Sequence, residues 1–287
     1  MSGAAYVIED APDGRWLVVT GRWSDDAAQA LARGEADGLE LNYARGFCEN
    51  SLDLLDGSWP LRRLDVLDRS IADLDPIGRL AGLEELSVQA AADAVLDLGP
   101  LSRLRSVSGE WSLIGHTLSA VGELESVITW MFGEVDLHAF RDHVALKTLT
   151  IKDAPYLESL AGLGDLPDLA SLTIVGARRL HEIDEVGELS ASLRELKFEE
   201  CPRIEAIDVV GSLVGLRFLG ISESGDIASL APVVLLEQLE TFFAWGSTRV
   251  IDGDLSPLAR LPRLKEIRMR NRRGYKPAVG DLEASVF

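Results

Sequence analysis

Four histidines are present in the 287-residue chain, and two of them, His138 and His143, sit in its densest polar cluster. That cluster reads Glu134-Val-Asp136-Leu-His138-Ala-Phe-Arg-Asp142-His143. Folded onto one loop, these imidazoles and carboxylates would suit a divalent metal or an accessory catalytic group. The spacing argues against it, because four residues separate the histidines and no cysteine lies near to complete a zinc set. The plainer expectation is polar surface in an irregular segment. Adjacent carboxylates such as Glu84-Glu85 and Glu199-Glu200 would point to opposite faces of a strand, so they make poor acid and base partners. Gly162-Leu-Gly164 lacks the strand-to-helix setting of a phosphate loop, and no nucleophile elbow or His-Glu-x-x-His motif occurs. The expectation is therefore a protein that is not an enzyme and that needs no metal or cofactor.

A different chemistry is suggested by aromatic residues interleaved with arginine. Arg217, Phe218, Phe243, Trp245, Arg268 and Arg270 gather toward the C-terminal end, and this is the composition of binding hot spots. They form a candidate partner-binding set, unless the aromatic rings turn inward. Trp111, Trp130, Met131 and Phe132 form a second group, better read as packing that fills space where Val107 and Val127 replace leucine.

Such residues need a scaffold, and a repeat supplies it. The phrase L-x-x-L-x-[apolar] returns as Leu61–Val66, Leu83–Val88, Leu146–Ile151, Leu169–Ile174, Leu193–Phe198 and Leu216–Ile221, and as Leu264–Met269 with Ile267 in fourth place. Leu239-Glu-Thr-Phe242 is a variant, weaker copies start at Leu104 and Leu124, and a degenerate one contains Leu39 and Leu41. Leu61 and Leu264 are nine repeats apart, about 22.6 residues each. Positions four and six alternate as a strand with one buried face requires. A second apolar series follows at three-residue spacing, as in Ile71, Leu74, Ile77 and Leu80, which suits short 3₁₀ turns better than α-helices. One unit cannot bury its own leucines, so neighbours must stack. Positions two, three, five and seven then face outward, placing the aromatic and arginine set on the strand side.

On these copies the chain resembles the leucine-rich-repeat superfamily, and the unit length resembles bacterial internalin-type repeats. The resemblance implies an α/β-type solenoid: a horseshoe with short parallel concave strands and a mostly 3₁₀ or irregular convex side. Eleven strands about 4.8 Å apart would span on the order of 50 Å. The chain departs from the family at position nine, where Asn usually ladders along the backbone; here stand Arg69, Ala91, Ala154, Ala177, Cys201, Ser224 and Arg272. The ladder is expected to be absent or replaced by small residues and water.

Residues 1–35 read as an N-terminal cap, 36–270 as a solenoid of about eleven repeats, and 271–287 as a loosely ordered C-terminal tail. Within the cap, a hairpin is expected around Pro12-Asp13-Gly14, and a helix after Ser24. Net charge is −19, from 28 basic and 47 acidic residues, which disfavours nucleic acid and anionic membranes as partners. The exception is a basic end: from Arg263 onward there are seven bases and three acids, including Arg272, Arg273 and Lys276. No basic-then-apolar leader opens the sequence, no long apolar run crosses a membrane, and two distant cysteines form no disulfide framework. A reducing cytoplasmic setting is expected, and the abundance of Arg, Ala and Gly suggests a GC-rich bacterial source. The functional expectation is a protein-binding module acting through the concave face, in one version an inhibitor or immunity-type protein for a basic partner. The alternatives are metal or accessory-enzyme chemistry at His138/His143, and cell-surface adhesion.

Overall fold

In the computed structural model, residues 5–286 are described, and the chain divides into two compact units, Met1–Ile128 and Thr129–Phe287. In the first, β1 (Tyr6–Ala11) and β2 (Gly14–Val19) form the expected antiparallel hairpin, and α1 (Asp25–Ala32) follows. The Ser24 side chain accepts the Ala27 N–H at 3.2 Å, satisfying a donor that the first helical turn would otherwise leave open. Ala27, Ala30 and Leu31 bury one face of this helix, and Leu17, Val18 and Val19 are buried in β2. Parallel strands β3 (Gly38–Asn42), β4 (Arg63–Leu67), β5 (Glu85–Gln89) and β6 (Ser106–Glu110) extend the sheet from β2. A short helix, α2 (Trp111–Ile114), follows β6. The division between units falls inside β7 (Ser126–Trp130).

The second unit repeats the same plan with β8 (Thr148–Lys152), β9 (Ser171–Val175), β10 (Glu195–Glu199) and β11 (Phe218–Ser222). A two-residue β12 (Asp226–Ile227) precedes β13 (Thr241–Ala244), and β14 (Arg249–Val250) pairs with β12 in a separate two-stranded parallel sheet. Next come α3 (Ser256–Ala259), β15 (Glu266–Met269) and α4 (Val279–Val286). The sheet order in this unit is β8-β9-β10-β11-β13-β15, all parallel.

Register explains why position four dominates the motif. Leu149 pairs with Leu172, Leu172 with Leu196, and Leu196 with Leu219, so the leucines stack in one buried column. Position six makes a second buried column with Ile151, Ile174, Phe198 and Ile221. The second half of the repeat is mostly 3₁₀, as its spacing predicts: Asp75–Arg79, Leu163–Asp165, Asp184–Leu189, Asp208–Ser212 and Ala231–Leu235. Its bonds step by three, as in Leu80 N–H to the Ile77 carbonyl (3.0 Å) and Leu83 N–H to the Leu80 carbonyl (2.9 Å). Repeating strands with a 3₁₀ return make each unit a leucine-rich-repeat solenoid.

The missing asparagine ladder has substitutes. The Cys201 thiol lies 3.3 Å from the Glu199 carbonyl oxygen and 3.8 Å from that of Ile174 in the preceding repeat. Burial pushes this thiol's pKa up to about 11. The Thr248 hydroxyl donates to the Ile221 carbonyl at 2.8 Å and accepts the Ser224 N–H at 2.9 Å. Arg272 reaches back to three carbonyls, those of Gly246, Ser247 and Thr248, at 2.9, 3.0 and 3.2 Å. It therefore serves the backbone at the end of the solenoid instead of standing free in a basic patch.

The tail is more ordered than expected. Among its described residues Tyr275, Val279 and Leu282 are buried, and the Tyr275 hydroxyl accepts the Val250 N–H at 2.9 Å. These side chains cover the last repeat, whose apolar core would otherwise face water.

Candidate interaction surface

The strand side of the second unit carries the aromatic and arginine set. Phe218 occupies position three of its repeat, Phe243 and Arg268 position five, Trp245 and Arg270 position seven, and Arg217 position two. Phe218 and Phe243 meet edge to face, with centroids 5.1 Å apart at 78°. The Arg268 guanidinium lies 4.8 Å from the centre of the Phe243 ring and donates through Nε to Glu266 at 2.7 Å. The floor of this cluster is Gly220. A Cβ there would stand 3.0 Å from the Phe218 ring and 3.2 Å from Lys197 Cγ, so the bare backbone lets Phe218 lean across toward Phe243.

Trp245 is 57% exposed at the mouth of a groove of about 450 Å³, also lined by Lys197, Glu199, Ser222, Glu223, Phe243 and Arg268. The groove thus joins Phe243, Trp245 and Arg268, with Phe218 packed behind. Arg217 and Arg270 are exposed and lie outside its lining. Lys197, Glu199 and Glu223 are groove residues that the motif columns did not single out.

Glu223 is held by an unusual backbone. In this unit the residue at position eight is left-handed in six repeats: Met131, Asp153, Gly176, Glu200, Glu223 and Gly246, with φ between +48° and +75°. This turn aims the N–H along the stack: Gly176 donates to the Glu199 carbonyl at 2.9 Å, Glu200 to Ser222 at 3.1 Å and Glu223 to Trp245 at 3.0 Å. The Glu223 carboxylate then accepts the Ser247 N–H at 2.9 Å. Only the two glycines at position eight hint at this geometry in the sequence, since a glutamate pays about 1 kcal/mol or more for it.

Elsewhere the sequence reading needs correction. Arg63 stands at position three of its repeat, a position expected to face outward, yet it is 5% exposed; it bonds Asp37 at 2.5 Å and lies 5.4 Å from the centre of the Trp16 ring. His143, read as surface, is fully buried at the position that Leu80, Leu101, Leu166 and Leu213 hold in other repeats. His138 is exposed and 3.1 Å from Asp136, so the two imidazoles do not converge. Among the described residues no group of three or more His, Cys, Asp or Glu is placed to hold a metal ion. In the second aromatic group Phe132 is buried and stacks on Phe140 (5.7 Å, 15°), Trp111 and Trp130 are half-buried, and Met131 is exposed. Asp65, on the strand side of the first unit, has its pKa raised by burial and by the neighbouring Glu40 charge, against a lowering hydrogen bond from Ser87.

No family model and no curated protein matches this sequence. Among solved structures it is similar to an internalin, InlF, from Listeria monocytogenes, at 16% identity over 75% of this chain and 77% of that one, TM-score 0.39. It is similar to a leucine-rich-repeat protein of Leptospira interrogans at 15% identity, 87% and 81% coverage, TM-score 0.41. The functional domain of InlJ from Listeria monocytogenes shares 15% identity over 79% of this chain and 57% of that chain, TM-score 0.49. These are all leucine-rich-repeat proteins, the fold that the strand and 3₁₀ register defines for this chain.

Proposed function

We propose that this protein is a non-catalytic binding module that grips a protein partner on the open strand face of its second unit. The observation that carries the reading is the Phe218–Phe243–Arg268 cluster with Trp245 exposed beside it. Large rigid rings on paired strands lose little conformational entropy when a partner docks. Arg217 and Arg270 flank this cluster and form the polar rim of the proposed contact. The net charge of −19 favours a basic partner, and an inhibitor or immunity-type role toward a basic protein in the cytoplasm is the concrete form. Against a catalytic reading stands the separation of His143 in the core from His138 on the surface.

The test is affinity capture from the source organism's lysate, with mass spectrometry, comparing wild type with Phe218→Ala/Phe243→Ala/Trp245→Ala. Matching circular dichroism and melting temperature must first show that both baits are folded. A protein retained by wild type and lost by the variant supports the reading. Equal retention by both moves binding away from this face, and capture of nothing by either counts against a protein partner.

A further inference from the structure

Among the described residues, three aromatic rings carry an arginine that is also held by an acid. Arg63 lies 5.4 Å from the Trp16 ring centre and 2.5 Å from Asp37. Arg179 lies 5.6 Å from the Tyr156 ring centre and 3.6 Å from Glu158. Arg268 lies 4.8 Å from the Phe243 ring centre and 2.7 Å from Glu266. The recurring unit is a π face, a guanidinium and a carboxylate. It works because a guanidinium is planar and weakly hydrated, and can stack on a ring while its edge donates to an acid.

Trp245 and Glu223 supply the ring and the acid of a fourth such unit, without an arginine. Trp245 is 57% exposed and shares the groove with Glu223. Among the described residues no Lys or Arg stacks on this indole or forms an ion pair with this carboxylate. The cations that line the groove are engaged already, Lys197 with Glu199 at 2.5 Å and Arg268 with Glu266. Glu223 accepts from a neutral donor, the Ser247 N–H, and meets Arg178 only across a neighbouring hollow, with no ion pair between them among the described residues. A left-handed backbone at Glu223 and a bare Gly246 beneath it hold that charge in place.

We propose that the binding partner inserts an arginine that stacks on Trp245 and pairs with Glu223, completing the fourth unit. This rests on the protein-binding reading and names the chemistry of its anchor. An anionic group is disfavoured, because it would meet Glu223 with no unengaged cation in the lining to answer it. A neutral apolar side chain would cover the indole and leave the carboxylate desolvated without a partner.

The test uses acetyl-arginine methylamide as the probe, with the citrulline analogue as its uncharged isostere and the lysine analogue as a point charge. The readout is the Trp245 indole N–H resonance, assigned by its loss in Trp245→Phe. The expected result is a saturable shift with arginine, a weaker one with lysine and none with citrulline, and affinity falling about fivefold in Glu223→Gln. Equal response to arginine and citrulline, indifference to Glu223→Gln, or no shift at all overturns the proposal. A silent probe with a partner still captured through Phe218, Phe243 and Trp245 sinks the arginine assignment alone. A responsive probe with nothing captured supports the arginine pocket and counts against the protein-binding reading.

Discussion

The Glu223 carboxylate occupies the space above the Gly246 Cα, where a Cβ would stand only 1.8 Å from Glu223 Oε1. One repeat's side chain is therefore seated on the next repeat's missing one. Gly246 also has φ +71°, so an alanine there meets both a clash and a backbone penalty. We predict that Gly246→Ala destabilises the protein by roughly 2 kcal/mol, from left-handed strain plus the lost Ser247 N–H bond. Urea unfolding followed by circular dichroism checks it, and a midpoint within error of wild type would show that the loop relaxes freely.

Cys201 couples folding to alkaline pH. Its thiol has an ordinary value of 9.0, raised by burial to about 11 in the fold, so the folded state keeps the proton longer than the unfolded chain. The stabilisation is complete below pH 9, and is lost as pH rises from 9 to 11, on the order of 2 kcal/mol. Unfolding free energies of wild type and Cys201→Ala across this range should converge as pH rises. Parallel curves would refute the linkage. The same burial predicts that a thiol reagent labels exposed Cys48 at once in the native protein, and Cys201 only on unfolding.

Arg63 is a structural cation. Its side chain is 6% exposed, bonds Asp37, approaches Asp13 at 3.5 Å and stacks on Trp16. Arg63→Ala removes the guanidinium that pairs with Asp37 and the cover of the Trp16 ring, and we expect a loss of roughly 3 kcal/mol. Arg63→Lys should recover only part of it, since an ammonium cannot both fork and stack. Equal stability of the lysine variant and wild type in denaturant titration would contradict this account.

How far the sequence foretells these features depends on the range of the interaction. Leu149, Leu172, Leu196 and Leu219 announce their buried column because each repeat restates the same periodic demand. Ser24 announces its helix because capping is local. Arg63 did not reveal its burial, because the pocket is made by Gly14, Trp16 and Asp37, which no period links to it. Arg272 looked like surface charge for the same reason: its carbonyl partners lie 24–26 residues earlier. Phe243 and Trp245 were legible as outward-facing, while Glu223 was hidden, because nothing in a glutamate signals a left-handed backbone.

His143 shows the reverse, a periodic signal overridden by residue type. It lies three residues before Leu146, as Leu80 precedes Leu83 and Leu166 precedes Leu169, and it is fully buried like them. We expect His143→Leu to fold and to melt within a few degrees of wild type or above it, because leucine meets the same site in neighbouring repeats. His143→Asp should lower the melting temperature sharply, since a carboxylate at this depth loses its hydration. Thermal scans at neutral pH distinguish these outcomes, and a collapse of the leucine variant would show that the imidazole's polar bonding is essential there.

The last prediction separates attraction from grip. A net charge of −19 acts at long range on a basic partner, whereas stacking on Trp245 acts only once the surfaces touch. Screening lengths shrink from about 30 Å at 0.01 M salt to about 10 Å at 0.1 M, so added salt should slow association steeply. Trp245→Ala leaves the charge unchanged, so it should leave association rates near wild type and speed dissociation about tenfold or more. Surface plasmon resonance with the captured partner, over a salt series for both proteins, reads the two rates separately. If salt acts mainly on dissociation, or Trp245→Ala mainly on association, then steering and anchoring are not divided in this way. The charged flank, and not the indole, would then be the part of the face that holds the partner.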